Sequence, residues 1–200
     1  MKLYHYTKGN RLNSIFTDGV IITEGKGELY ATRPFTDYVW LTEKGRYPKT
    51  ALPCIGFMPE TNLMAHVGRN APYIDYDKLS IVTGGIFRFG FDSSDTRFKK
   101  WWFSAERKQI QHNIYWRHME SVANKVGDDV RSFWIALDDV ALESCSLDTL
   151  ENGTWKSILS SFSLSTASNT DLSVIEALKC RSRTACAQYG FPALRKKLAA

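Results

Sequence analysis

The chain has 200 residues, 44% of them hydrophobic and 24% charged. That is the make-up of one folded domain, or one domain with a short appendage, and it excludes a disordered, collagenous or coiled-coil chain. The net charge of +5 is uneven: residues 177–200 hold Lys179, Arg181, Arg183, Arg195, Lys196 and Lys197 and no acid, whereas 128–151 set seven acids against Arg131.

In chain order, Leu3-Tyr-His-Tyr6 reads as a short strand. A turn at residues 7–10 follows, with Asn10 placed to cap a helix through Leu12, Ile15 and Phe16 that ends at Gly19. Val20-Ile21-Ile22 is a second strand. Residues 23–36 are loop-rich, with a short strand at 28–31, and Asp37–Thr42 is a stronger strand. Pro48, Pro53, Pro59 and Pro72 break up residues 43–80, leaving room for a short helix around Thr50. Gly85–Phe91 alternates as a strand does. Ile110, Ile114, Met119, Val122 and Val126 share a helical face, predicting a long helix over 104–126 that Gly127 ends. Strands are expected at 132–137 and 140–144. Residues 157–173, rich in Ser and Thr, read as a loop or linker. Thr170 or Asp171 then caps a short helix through Leu172, Ile175 and Leu178, and 184–198 forms another, interrupted by Gly190 and Pro192. The expected organisation is a domain over 1–156, a linker over 157–173 and a basic helical segment over 174–200.

No run approaches the ~18 apolar residues of a membrane-spanning helix, and the start of the chain turns polar too soon for a signal peptide. A soluble, cytoplasmic protein with reduced thiols is expected, with no membrane partner. Cys54, Cys145, Cys180 and Cys186 form no C-x-x-C pair, and His112 and His118 stand six apart on the predicted helix, too far round it to share a metal. No metal site is expected. Phosphate loops, dinucleotide fingerprints, zincin motifs and nucleophile elbows are all missing from the sequence. His5 stands out. Thr7 follows it by two residues, so in a strand both face one side and can bond a ribose or phosphate. The alternative is a histidine satisfied by a backbone carbonyl.

Tyr4-His5-Tyr6-Thr7, Leu12-x-x-Ile15, Asp18-Gly19-Val20-Ile21 and Val39-Trp40-Leu41-Thr42 together resemble the opening of ADP-ribosyltransferase-like domains. The similarity is to small bacterial and phage members, such as the DNA-targeting toxin ADP-ribosyltransferases, and more distantly to RNA 2′-phosphotransferases. It covers residues 4–42. It implies an α+β fold with a split, mostly antiparallel sheet of the ADP-ribosyltransferase type, one long helix and a helical C-terminal appendage. It also implies a cleft for NAD. By the resemblance, His5 holds the nicotinamide ribose with Thr7 beside it, and Tyr30, Tyr38 or Trp40 stacks on the nicotinamide, close to Thr42. Arg33, just before Pro34, suits bidentate contact with the pyrophosphate.

The family reaction needs a late carboxylate to stabilise the positive charge that develops as nicotinamide leaves. The sequence carries no clear glutamate motif. Glu143, in the predicted strand 140–144, ranks first, Glu106 second and Glu43 third; the alternative for each is a solvent-facing carboxylate. Arg97-Phe-Lys-Lys-Trp-Trp-Phe103 interleaves cations and rings, as a nucleic-acid or partner surface would, through Lys99, Lys100, Trp101 and Trp102. The competing reading is a pair of core tryptophans beside exposed lysines. An NAD-dependent ADP-ribosyltransferase acting on a protein or nucleic acid is therefore expected, of the kind that suits a toxin or a phage protein. The alternative is a non-catalytic module on the same scaffold that binds a nucleotide, a nucleic acid or a protein.

Overall fold

The computed structural model describes residues 1–23, 38–46, 48, 84–110, 117, 120–121, 123–124 and 127–189. They form β1 (Lys2–Lys8), α1 (Leu12–Asp18), β2 (Val20–Ile21), β3 (Val39–Thr42), β4 (Ile86–Asp92), β5 (Lys99–Lys100), α2 (Ala105–Ile110), β6 (Phe133–Ala136), β7 (Val140–Ala141), β8 (Cys145–Glu151), β9 (Thr154–Phe162) and α3 (Asn169–Tyr189). The class is α+β, as expected, with an antiparallel sheet and a C-terminal helix. Seven strands lie in the order β5-β6-β3-β1-β4-β8-β9, and β2 pairs with β7 in a separate ribbon. No helix among the described residues is long and apolar enough to cross a membrane.

One junction in the sheet differs from the rest. β1 pairs with β4 along its whole length, from Lys2 opposite Asp92 to Lys8 opposite Ile86. With β3 it pairs only at Tyr4 opposite Thr42. The sheet is thus two blocks, β5-β6-β3 and β1-β4-β8-β9, joined at one position among the described residues.

The two faces of the sheet carry separate cores. Opposed residues of an antiparallel pair share a face, and successive residues alternate between faces. Leu3, Leu41, Phe87, Phe89, Phe91, Leu147 and Leu159 therefore line one side, where they pack with Phe16 of α1 and Ile175 and Leu178 of α3. Ile135, on the other side, packs with Trp101, Ala123 and Val130, and Tyr38, Trp40, Trp102 and Phe133 lean on that second cluster.

Local signals explain most element ends. Gly19 takes the left-handed conformation, φ 71°, and its N–H reaches the Ile15 carbonyl at 3.0 Å, closing α1. Gly127, φ 81°, donates to the Asn124 carbonyl where the expected long helix stops. Described residues 117, 120–121 and 123–124 of that stretch are helical.

Four expectations need correction. Asn10 does not cap α1. The chain enters through a 3₁₀ turn, Gly9–Arg11, and the Asn10 side-chain oxygen is buried without a hydrogen-bond partner among the described residues. The strand expected at 140–144 stops at Ala141, because Ser144 takes a positive φ of 51°. Residues 157–162 belong to β9 rather than to a linker. An edge strand with one face in water accepts serines there, while Leu159 and Phe162 face the core. Asn152-Gly153, both at positive φ, form the two-residue turn that such a hairpin favours. Finally, α3 is one helix from 169 to 189. Ser168 Oγ accepts from the Asp171 N–H at 3.1 Å, and the Asp171 carboxylate accepts from the Ser168 N–H at 3.3 Å, a reciprocal capping box. Ser168, not Thr170 or Asp171, is thus the cap. The strand at 28–31, the helix near Thr50 and the segment 190–198 lie outside the described residues.

Phe89 sits at the centre of the first core, opposite His5 and Leu147, with its ring 6.0 Å from that of Phe16. Phe89→Ala should cost about 3–5 kcal/mol of unfolding free energy in urea titrations. A loss under about 1 kcal/mol, the usual scale of surface changes, would show that the core is not centred on β4.

Candidate functional site

His5 and Thr7 lie on the same face of β1, as alternation requires, and Thr7 is buried. The half-buried His5 ring crosses the junction between the blocks, and its Nδ1 stands 3.0 Å from the Trp40 carbonyl oxygen. A carbonyl only accepts, so Nδ1 carries the proton. The ring is thereby fixed in one tautomer, and Nε2 is an acceptor with no hydrogen-bond partner among the described residues. Burial lowers the His5 pKa from the ordinary 6.5, although the carbonyl contact works the other way.

Across the junction, Glu43 directly follows β3, and its backbone N–H continues the ladder to the Ser132 carbonyl at 3.0 Å. Its carboxylate meets Trp134, whose backbone pairs with Leu41 on the His5 face. Trp134 Nε1–H donates to Glu43 Oε1 at 2.8 Å, and Lys100 donates to the same oxygen. The Lys100 ammonium also lies 5.4 Å from the Trp134 ring centroid. Glu43 Oε2 is left without a hydrogen-bond partner among the described residues. Desolvation raises the Glu43 pKa, but the Lys100 and Trp134 hydrogen bonds and the charges of Lys100 and Lys44 outweigh it, so the carboxyl titrates below its usual range. By alternation from the Tyr4–Thr42 pair, Glu43 falls on the same face of the sheet as His5.

The turn after Glu43 is held from below. Tyr6 Oη donates to the Lys44 carbonyl at 2.6 Å, and an Arg88 nitrogen donates to the Gly45 carbonyl at 2.5 Å. Arg88 is wedged between the Tyr4 and Trp155 rings, 4.1 and 4.4 Å from their centroids, and pairs with Asp148 at 2.7 Å. Thr42 Oγ1 accepts from the Lys44 N–H and lies 3.1 Å from Ser132 Oγ. Its role here is to shape this turn.

The remaining candidates lie elsewhere. Glu143 stands in the bend between β7 and β8, where hydrogen bonds from Ser165 and Ser163 lower its pKa, at the end of the sheet edge formed by β9. Two strands separate that edge from β1. Glu106 opens α2 and pairs with Lys99 at 3.5 Å. The Tyr38 and Trp40 rings pack into the second core, with Trp40 4.9 Å from the Trp101 centroid, on the face away from His5. Trp40 contributes its carbonyl to the site, not its ring. Trp101 and Trp102 form a 3₁₀ turn with Phe103 instead of a strand; Trp101 is fully buried, and Arg107 lies 3.9 Å and Arg131 5.1 Å from the Trp102 centroid. Arg33 and Tyr30 lie outside the described residues.

The structure thus brings together Glu43, the third-ranked acid, with Lys100 and Trp134, and alternation sets them on the same face of the sheet as His5. Trp134 is a participant that sequence reasoning missed. Its signal was slight: a tryptophan in the strand Ser132–Leu137, visible as a partner of Glu43 only once β6 is known to lie beside β3.

The lowered His5 pKa has a consequence for stability. The unfolded chain takes up a proton at 6.5 that the folded chain resists, so stability falls as the pH drops below that value. In urea titrations from pH 7 to pH 5, His5→Gln should lose less stability than wild type. An equal loss in both would show that His5 titrates normally. Comparison with protein-family models, with curated proteins and with solved structures finds no match for this chain, so the site is read from its own residues.

Proposed function

We propose that this chain is an NAD-dependent ADP-ribosyltransferase of the split-sheet type that modifies a macromolecule, protein or nucleic acid. One observation carries the reading. Among the described residues, His5 Nε2 and Glu43 Oε2 have no hydrogen-bond partner, and these two acceptors lie on one face of the sheet, on either side of the junction at Tyr4 and Thr42. A sugar diol, with two adjacent hydroxyl donors, matches such a pair. The ribose next to nicotinamide is the diol that the resemblance of residues 4–42 calls for.

In this reading His5 accepts from one ribose hydroxyl and Glu43 from the other. The bond from ribose C1 to the nicotinamide nitrogen breaks, and its electron pair leaves with nicotinamide, which becomes neutral. A lone pair of the acceptor forms the new bond to C1, and the acceptor's proton passes to solvent. An ionised Glu43 faces the charge that develops on the sugar, where a fixed carboxylate lowers the barrier. With water as acceptor the same steps make an NAD glycohydrolase. Glu43 replaces Glu143 and Glu106 as the proposed carboxylate, because it alone of the three directly follows β3, the strand next to β1, on the face that carries His5.

Lys100 favours a second reading. Its ammonium offsets part of the charge that Glu43 would offer a transition state, as in a non-catalytic binding module.

The test is incubation with labelled NAD and a cell lysate, followed by separation of protein, nucleic acid and free nicotinamide. Wild type should release nicotinamide and label one acceptor class. His5→Ala and Glu43→Gln should each fall at least ~100-fold, the scale of losing one electrostatic group from an active site. Glu143→Gln and Glu106→Gln should stay near wild type. Saturable NAD binding without nicotinamide release would establish the binding module instead.

A further inference from the structure

Two donors converge on Glu43 Oε1, while Oε2 has no hydrogen-bond partner among the described residues. They come from different strands: Trp134 from β6 and Lys100 from the two-residue edge strand β5. Each also touches the other, with the ammonium over the indole ring. A glutamate side chain is otherwise mobile, with several rotamers of similar energy. Fixing Oε1 from two directions fixes the carboxylate plane, and with it the direction in which Oε2 accepts.

We propose that Lys100 and Trp134 are positioning residues that clamp Glu43 through Oε1, so that Oε2 presents a single acceptor to a ligand hydroxyl. Neither residue needs to touch the ligand. In the NAD reading, on which this use of the clamp rests, that hydroxyl belongs to the nicotinamide ribose. The clamp accounts for a lysine beside a carboxylate that must stay charged. An indole N–H alone would orient Glu43 without favouring its ionised form as strongly, and an ammonium alone would leave its rotation free.

Among the described residues, the charged groups that act on Glu43 are Lys100 from β5 and Lys44 next in the chain; β6 contributes Trp134, which does not titrate. Removing either donor leaves desolvation acting with less opposition, so Glu43 should take up its proton at higher pH. Loss of activity should then concentrate on the acid side.

The experiment uses the full chain and three variants. Trp134→Phe keeps a ring on the sheet and removes the N–H. Lys100→Met removes the charge at a half-exposed edge position, and Lys100→Arg restores it. The first readout needs no NAD: the Glu43 carboxyl carbon is titrated by NMR, with Glu43→Gln identifying its signal. Wild type should titrate below the usual glutamate range, Trp134→Phe and Lys100→Met should move upward, and Lys100→Arg should return toward wild type. The second readout is nicotinamide release against pH. In the Phe and Met variants kcat should fall a few-fold more at pH 5 than at pH 8, with KM for NAD little altered. A wild-type Glu43 that titrates in the ordinary range, or variants that leave its titration unmoved, would overturn the clamp. A titration that moves as expected, in a protein that never releases nicotinamide, would uphold the clamp and overturn the NAD reading.

Discussion

The contact that the site depends on is the reach of His5 across the sheet to the Trp40 carbonyl. On one side β1 is held to β4 by continuous pairing; on the other it meets β3 at a single position. The imidazole spans the ground that further pairing would have occupied. Its orientation and tautomer follow from that one acceptor. The same contact tethers the β5-β6-β3 block, which carries Glu43, Trp134 and Lys100, to the block that carries His5.

The sheet has apolar backing on both faces. Phe87, Phe89 and Leu147 are covered by α1 and α3, whereas Ile135 and Trp101 are covered by Ala123 and Val130. Alternation decides which of the two cores a side chain near the junction adjoins. Trp40 and Glu43, three residues apart, fall on opposite faces. The ring of one joins a core, and the carboxylate of the other joins the site. Arg88, clasped by Tyr4, Trp155 and Asp148, fastens the turn after Glu43 from the side away from His5.

Local chemistry made much of this legible in advance. Period-two alternation set His5 and Thr7 on one face, and Gly19 and Gly127 marked helix ends through their positive φ. Where the structure departs from expectation, a tight turn or a partner distant in sequence decides. Asn152-Gly153 is a hairpin turn by composition alone, yet the serines around residue 160 were read as linker. Glu143 ranked first because a late strand was expected to carry it, but Ser144 turns the chain before that strand begins. Glu43 carries no local signal of its setting, because its partners stand far off in sequence. Lys100 is 57 residues away and Trp134 is 91. Only the order β5-β6-β3 brings the three together, and pairing order is not a property of any local window.

The docking of α3 bears on how the chain acquires this arrangement. The Asn13 N–H donates to Ser182 Oγ at 3.0 Å, across 169 residues of sequence, and Arg183 reaches the Asn13 side chain at 3.0 Å. During synthesis at ~5–20 residues per second, the β8–β9 hairpin pairs within moments of emerging, whereas α1 must wait many seconds for its cover. Until residue 183 has left the ribosome, Phe16 and the phenylalanines of β4 lack the layer that finishes their burial. The face that carries His5 is therefore among the last to acquire its support, and a ribosome stalled before α3 holds a chain whose strands have met over an open core.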